Sequence, residues 1–109
     1  AYNGHNLGAV SIKEFFGKII IFVDGSKGHG YKHSKLWEYV NMVSNSPFLQ
    51  TVSYEEIANN NNTNIINQNK QNMMIVYPNE PINPNIGLTQ HYGVQITAMS
   101  YFNNDSYFV

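Results

Sequence analysis

Residues 19–23 form an unbroken run of apolar, mostly β-branched residues between two charged ones, Lys18 and Asp24. A short run of this kind, without polar alternation, is typical of a strand buried on both faces, as in a parallel sheet. Its five residues are far fewer than the roughly 20 that a membrane-spanning helix needs. We therefore predict a buried parallel strand over residues 18–24, with Asp24 at its carboxyl end.

A helical pattern follows this strand. Leu36, Val40 and Val43 recur at spacings of four and three, which would place them on one stripe of a helix. Ser34 precedes them as a residue suited to the N-cap. We predict a helix over residues 34–43 whose apolar stripe covers one face of the sheet.

The remaining segments alternate between extended and helical patterns. Extended patterns predict strands at 48–54, 74–77 and 93–102, and a weaker helical pattern predicts a second helix at 63–73. Turn residues, including three prolines in the last segment, predict loops at 1–13, 56–64 and 78–90. This order predicts a single α/β domain over residues 1–109, with the first strand in its interior and parallel to 48–54.

Composition excludes several classes of function. The chain has no cysteine, which excludes disulfides, zinc–thiolate sites and thiol nucleophiles. Its six cationic residues are all lysine and are balanced by seven acids, so the formal net charge is −1. No basic field is available for nucleic acid or for an anionic membrane surface. We therefore predict neither a nucleic-acid partner nor a transmembrane segment.

The glycine-rich segment 25–30 follows the first predicted strand but matches neither a Walker loop nor a dinucleotide fingerprint. His29 and His33 are spaced for one helical face, yet no third metal ligand accompanies them. Both features are interpreted as parts of an exposed loop. Asp24 has two interpretations: a functional residue at the carboxyl end of a parallel strand, where active sites lie, or a turn and helix-capping residue.

Four segments resemble phosphoinositide-specific phospholipase C enzymes. Residues 69–78, NKQNMMIVYP, are similar to that family's NKRQLSRIYP segment. Residues 92–101, YGVQITAMSY, resemble its AGCQMVALNF strand at matching separation. Residues 16–21, FGKIII, resemble the LKGKILV entry to an earlier strand, and residues 36–44, LWEYVNMVS, resemble divergent members from large DNA viruses.

The resemblance implies about half of a (β/α)8 barrel of the phospholipase C-like phosphodiesterase fold, namely its C-terminal half. The family cleaves a phosphoinositide with two histidines and Ca²⁺, whose motifs lie in the other half of the barrel. It therefore implies no catalytic residue, no metal ligand and no cofactor in this chain. The expected partners are the missing N-terminal barrel half or other protein chains, with a phosphoinositide or related phosphodiester as ligand.

Three residues carry over as substrate-binding candidates. Tyr77 matches the ring-stacking tyrosine of SRIYP, Ser53 corresponds to a serine of the family's SSFSE strand, and Asp24 falls on a position where the family has a phosphate-binding lysine. Phe22 and Ile75 stand where the family has a second lysine and an arginine. Because the parallel order puts all strand ends on one rim, we expect Tyr77, Asp24 and Ser53 to lie there together.

Two functions follow as expectations. The first is the C-terminal barrel half of a phospholipase C-like phosphodiesterase that is inactive by itself. The alternative is a non-catalytic structural or interaction protein, such as a virion component, that retains the barrel scaffold. The resemblance to viral proteins implies an intracellular location, in the host cytoplasm or the virion.

Overall fold

The structure is a computed structural model and describes residues 6–28, 30–59, 63–79, 82–102 and 105–106. The strands in these ranges are β1 Phe22–Val23, β2 Met42–Val43, β3 Leu49–Ser53, β4 Met73–Tyr77 and β5 Ile96–Thr97. The α-helices are α1 Tyr54–Asn59, α2 Thr63–Asn69 and α3 Ile86–His91. Single turns of 3-10 helix lie at Leu7–Ala9, Ile12–Phe15, Gly25–Lys27, Gly30–His33 and Lys35–Tyr39.

The strands form two parallel sheets. The larger has the order β3–β4–β5, with Thr51 opposite Ile75 and Ile75 opposite Ile96. The smaller joins β1 to β2, with Phe22 opposite Met42. Parallel sheets combined with helices confirm the predicted α/β class. In the described ranges, no helix is long and apolar enough to cross a membrane.

The larger sheet has two different faces because successive side chains of a strand point to opposite sides. On one face, Met74 and Val76 of β4 are buried together with Ile57 of α1 and Ile65 of α2. Tyr92, directly after α3, completes this cluster. The helices therefore cover this side of the sheet, which we call the helix-covered face.

The opposite face of the larger sheet packs against the N-terminal part of the chain. Leu49 of β3 is buried with Leu7 and Met42, and Met73 and Ile75 of β4 pack against that cluster. We call this side the inner face. Phe22 of β1 also packs against this cluster, so both sheets contribute side chains to it.

The predicted strands at 48–54 and 74–77 are confirmed as β3 and β4. The strand predicted at 93–102 is reduced to β5, and the helix predicted at 63–73 ends at Asn69. A helix through Met73 is wrong because Met73 begins β4, where its backbone N–H donates to the Phe48 carbonyl.

The helix predicted over 34–43 is wrong. Only Lys35–Tyr39 is helical, as a 3-10 turn, and the chain then enters β2. Ser34 stands at the N-cap but makes no capping bond with its side chain, and its hydroxyl donates to the Tyr31 carbonyl. The Asn41 side chain accepts a hydrogen bond from the Ile21 N–H, which ties this segment to β1 as an extended strand. Tertiary pairing thus overrides a helical spacing made largely of β-branched valines.

The strand predicted at 18–24 is only partly correct. β1 covers Phe22–Val23, and Ile19 is 88% exposed, so the apolar run is not buried along its length. The predicted interior position is not observed among the described residues, since β1 pairs with β2 alone in a two-stranded sheet. Because residues 36–43 do not form an α-helix, their apolar side chains do not provide the predicted helical cover over one face of the sheet.

The predicted loops contain regular structure. The 1–13 lead-in includes two 3-10 turns, and α1 and α2 extend into the ends of the 56–64 loop, whose centre at 60–62 lies outside the described residues. The 78–90 loop contains most of α3, because the chain after Pro84 is free to become helical and the Asn85 side chain caps it by accepting from the Gly87 N–H.

Candidate functional site

A cavity of about 570 Å³ lies between the two sheets, at the carboxyl ends of their strands. Residues from the ends of β1 and β2 form one side of it, and residues from the inner face of β3 and β4 form the other. Described residues that line it are Phe22, Val23, Asp24, Ser26, Ser44, Asn45, Thr51, Ile75 and Tyr77. In parallel α/β folds, ligands bind at this end of the sheet.

Asp24 is held by a network that joins the ends of β1 and β2. Its Oδ1 accepts hydrogen bonds from the Ser26 N–H at 2.9 Å, the Ser26 hydroxyl at 2.6 Å and the Ser44 hydroxyl at 3.1 Å. It therefore caps the 3-10 turn Gly25–Lys27. The structure supports the capping interpretation of Asp24, and it also places Asp24 on the cavity wall.

Gly25 fits this junction because it has no side chain. A Cβ at this position would lie 2.9 Å from both the Ser44 carbonyl oxygen and Val43 Cγ1. The Gly25 N–H donates to the Ser44 hydroxyl at 3.0 Å. The turn after β1 can therefore lie directly against the end of β2.

Tyr77 ends β4 at the mouth of the cavity and is 45% exposed. Asp24 and Tyr77 thus lie on the same rim, as the parallel order predicts. Ser53 is opposite Tyr77 in the β3–β4 register. Its hydroxyl, however, accepts a hydrogen bond from the Glu56 N–H and so caps α1. Substrate binding by these three residues stays a prediction.

Thr51 is a cavity residue that the sequence analysis missed. It lies on the inner face of β3, two residues before Ser53 and opposite Ile75. Its hydroxyl is buried and has no hydrogen-bond partner among the described residues. Buried hydroxyls are nearly always bonded, so this one marks an unusual position. A polar residue on an inward position of the predicted strand is the signal that could have identified it.

The walls of the cavity are mostly apolar. Phe22 and Ile75 contribute two of these walls. No lysine, arginine or histidine is among the described residues that line the cavity. Within the described ranges there is also no group of three histidine, aspartate or glutamate side chains that could hold a metal ion.

The histidine pair of the glycine-rich loop is only partly described. His33 is exposed at the end of a 3-10 turn, whereas His29 lies outside the described residues. Nearby, the Tyr31 and Trp37 rings lie 5.6 Å apart, and Lys32 Nζ lies 6.0 Å from the Trp37 ring centroid. These contacts support a packed surface loop beside the cavity.

Comparison of the chain with protein-family models, curated proteins and solved structures finds no match.

Proposed function

We propose that this chain is the C-terminal half of a phospholipase C-like phosphodiesterase barrel and supplies the substrate-binding side of its rim. The observation that carries the proposal is the common cavity at the carboxyl ends of strands from both parallel sheets. Enzymes built on parallel barrels have their active sites at this end of the strands.

The positions of the resembling segments support the proposal. Residues 69–78 include β4, with Tyr77 at its carboxyl end, and residues 92–101 include β5. Residues 16–21 lead into β1. Each segment that resembles a barrel strand of the family thus contains or precedes a parallel strand here.

The two faces of the larger sheet support a barrel half in particular. A barrel strand has one side toward surrounding helices and the other toward the interior. Here α1, α2 and α3 cover one face, and the inner face packs against the segment that carries β1 and β2. A full barrel needs about eight strands, so the proposal requires a second half that supplies the rest.

In this proposal, the second half contributes the two catalytic histidines and the Ca²⁺ ligands of the family. The present chain then contributes Tyr77 as a ring contact and the apolar walls of the cavity. We expect no phospholipase activity from the chain alone, because general acid–base and metal catalysis need groups from the other half.

Reconstitution tests the proposal. The chain is mixed with a separately produced N-terminal half of a phospholipase C-like barrel, and Ca²⁺-dependent release of inositol phosphate from phosphatidylinositol vesicles is measured. Each half alone should be inactive, and the mixture should be active. Turnover by the chain alone, or no gain on mixing, would contradict the proposal.

Variants make the reconstitution more specific. Tyr77→Ala should lower the activity of the mixture because the ring contact at the cavity mouth is lost. Tyr101→Ala is the matched control, since Tyr101 is 76% exposed and does not line the cavity. Equal effects of the two substitutions would remove Tyr77 from the proposed site.

An interaction protein that retains the scaffold is the second candidate function. It is favoured by exposed apolar side chains before β1 and after β5, among them Phe16 at 75% and Ile19 at 88% exposure. Large exposed apolar patches mark surfaces for partners. Binding of the second half without any gain of activity would support this candidate instead.

A further inference from the structure

The outer edge of β1 has no strand beside it in the described part of the chain, because β1 pairs with β2 alone. The carbonyls of Ile21 and Val23 accept hydrogen bonds from backbone N–H groups of the β2 segment. Successive residues of a parallel strand direct their backbone groups to opposite edges. The N–H and C=O groups of Ile20 and Phe22 therefore face the outer edge, where they can pair with another strand.

The side chains along this edge leave apolar surface uncovered on the side away from the core. Ile20 and Phe22 pack against the buried cluster of the inner face, whereas Ile19 is 88% exposed. Ile19 and Ile21 line a groove of about 660 Å³ together with the exposed Tyr39. An unpaired strand edge that also carries exposed apolar side chains is a template for binding another chain.

The charges of this edge make it complementary to itself in the antiparallel direction. Lys18 and Asp24 stand at its two ends, with five apolar residues between them, and both are exposed. When two copies pair antiparallel around Ile21, Lys18 of each copy lies opposite Asp24 of the other. Opposite charges in such cross-strand pairs are stabilising, and like charges are destabilising.

The backbone geometry selects the same register. Antiparallel pairing around Ile21 places Ile20 opposite Phe22, and these are the residues whose backbone groups face the outer edge. A shift by one residue would turn one member of each pair away from its partner. A shift by two residues would keep the backbone bonds but would place the charged side chains of Lys18 and Asp24 opposite uncharged residues. Only one register therefore satisfies both the charges and the backbone.

We propose that a second copy of this chain pairs with the outer edge of β1, antiparallel over residues 18–24, in a dimer with twofold symmetry. Such a dimer uses the same surface on both copies, which is the commonest arrangement of soluble homo-oligomers. It joins two two-stranded sheets into one larger sheet and gives the exposed Ile19 an apolar contact with Val23 of the second copy. The inference goes beyond the proposed function and does not depend on it, because it concerns the chain without a second half.

Disulfide formation across the twofold axis tests the register, because the chain has no cysteine of its own. In the proposed dimer, Ile21 lies opposite Ile21 of the second copy in a pair without backbone bonds, where the Cα atoms are about 4.5 Å apart. A disulfide can bridge this separation. Ile21→Cys should therefore form a covalent dimer under mild oxidation, which non-reducing electrophoresis detects and a reductant reverses.

Ile19→Cys is the matched control. In the same register, the two sulfurs of this variant are four residues apart along the strands, or about 13 Å. It should not form a covalent dimer, although Ile19 is 88% exposed and random collisions would favour it. Equal or faster linkage of Ile19→Cys, or no linkage of Ile21→Cys, would overturn the inference.

Exchange of the charges tests the same pairing by sedimentation velocity. Lys18→Glu should raise the dissociation constant of the dimer by about tenfold, because both opposite-charge pairs become like-charge pairs. Asp24→Lys should weaken the dimer for the same reason. An equimolar mixture of the two variants should restore it, since both cross-strand pairs are again opposite in charge in the mixed dimer.

Restoration by mixing separates pairing from a loss of folding, which mixing would not repair. Asp24 also caps the turn after β1, so if Asp24→Lys does not fold, the two cysteine variants decide. Wild-type chain that stays monomeric, or a mixture of folded variants that associates no better than either variant alone, would overturn the inference. The edge of β1 would then be left to a different partner, such as a second barrel half.

Discussion

The region from β3 to β5 and the region before it, which we call the β1–β2 region, contain similar kinds of residues but differ in architecture. In the first, three parallel strands carry three α-helices on one face and bury a continuous apolar cluster. In the second, two strands of two residues each are connected by 3-10 turns. Its apolar residues include Ile12 at 73% and Ile19 at 88% exposure.

This difference indicates which region can be stable by itself. The β3–β5 region has a helix layer and a sheet layer around one core, which is the minimum that a domain requires. The β1–β2 region buries Val40 and Met42 but has no α-helix in its described part to cover its other apolar residues. We therefore expect the first region to carry most of the stability and the second to need a partner.

The largest effect is expected in the core of the helix-covered face. Ile57 is fully buried there, so Ile57→Ala should lower the free energy of unfolding by about 2 to 5 kcal/mol. Ile12→Ala, in the β1–β2 region, is the matched control and should change it by less than about 0.5 kcal/mol. Urea denaturation measures both. Similar losses would remove the distinction between the two regions.

A buried amide supports the same region. The Asn69 side chain donates to the Tyr92 carbonyl at 2.8 Å and connects α2 to the segment after α3. Asn69→Ala should cost about 1 to 3 kcal/mol, because a buried hydrogen bond is lost. Asn67→Ala, on the exposed side of α2, provides the control in the same denaturation experiment. If both variants unfold alike, Asn69 does not hold these elements together.

In the β1–β2 region, the most sensitive position is Gly25. Gly25→Ala should cost about 1 to 3 kcal/mol, because its Cβ would lie 2.9 Å from the Ser44 carbonyl oxygen. Gly30→Ala should be nearly neutral, since nothing lies within 4 Å of a Cβ there. Thermal unfolding of the two variants gives the comparison. An unchanged melting temperature in Gly25→Ala would mean that the turn is not packed against β2.

The smallest effect on stability is expected at Ile19. Ile19→Ser should change the free energy of unfolding by less than about 0.5 kcal/mol, because the side chain is already in water. It should nevertheless reduce self-association, which sedimentation velocity measures, if exposed apolar surface before β1 is where other chains bind. Wild-type chain that sediments as a monomer at all concentrations would contradict this expectation.

The strand β4 was predictable because it is a compact apolar segment that Pro78 ends, and β3 was predictable from its extended pattern. In the structure, burial alternates along β4, with Met74 and Val76 buried and Tyr77 exposed. β2 was not predictable in this way. Val40 and Val43 satisfy a helical spacing, and only pairing with β1, which is distant in sequence, makes their segment extended.

The candidate site was predictable to a similar extent. Asp24 and Tyr77 follow from strand direction, because parallel strands bring their carboxyl ends to one rim. Thr51 could not be predicted as a cavity residue from strand direction, because its place in the cavity depends on which residues lie opposite the inner face. That packing comes from the β1–β2 region, whose strands the local sequence pattern describes poorly.

The proposed barrel half requires that the carboxyl ends of β1 and β4 share one rim, and cross-linking tests this most directly. Because the chain has no cysteine, Ser26→Cys with Tyr77→Cys introduces a unique thiol pair at two exposed cavity residues. The control pairs Ser26→Cys with Lys70→Cys, which precedes the amino end of β4. Both pairs are treated with a cross-linker that reacts with two thiols. Its span is shorter than β4, whose five residues extend over about 16 Å. We expect intramolecular cross-linking of the first pair only, and cross-linking of the second pair but not the first would contradict the parallel rim and the proposed barrel half.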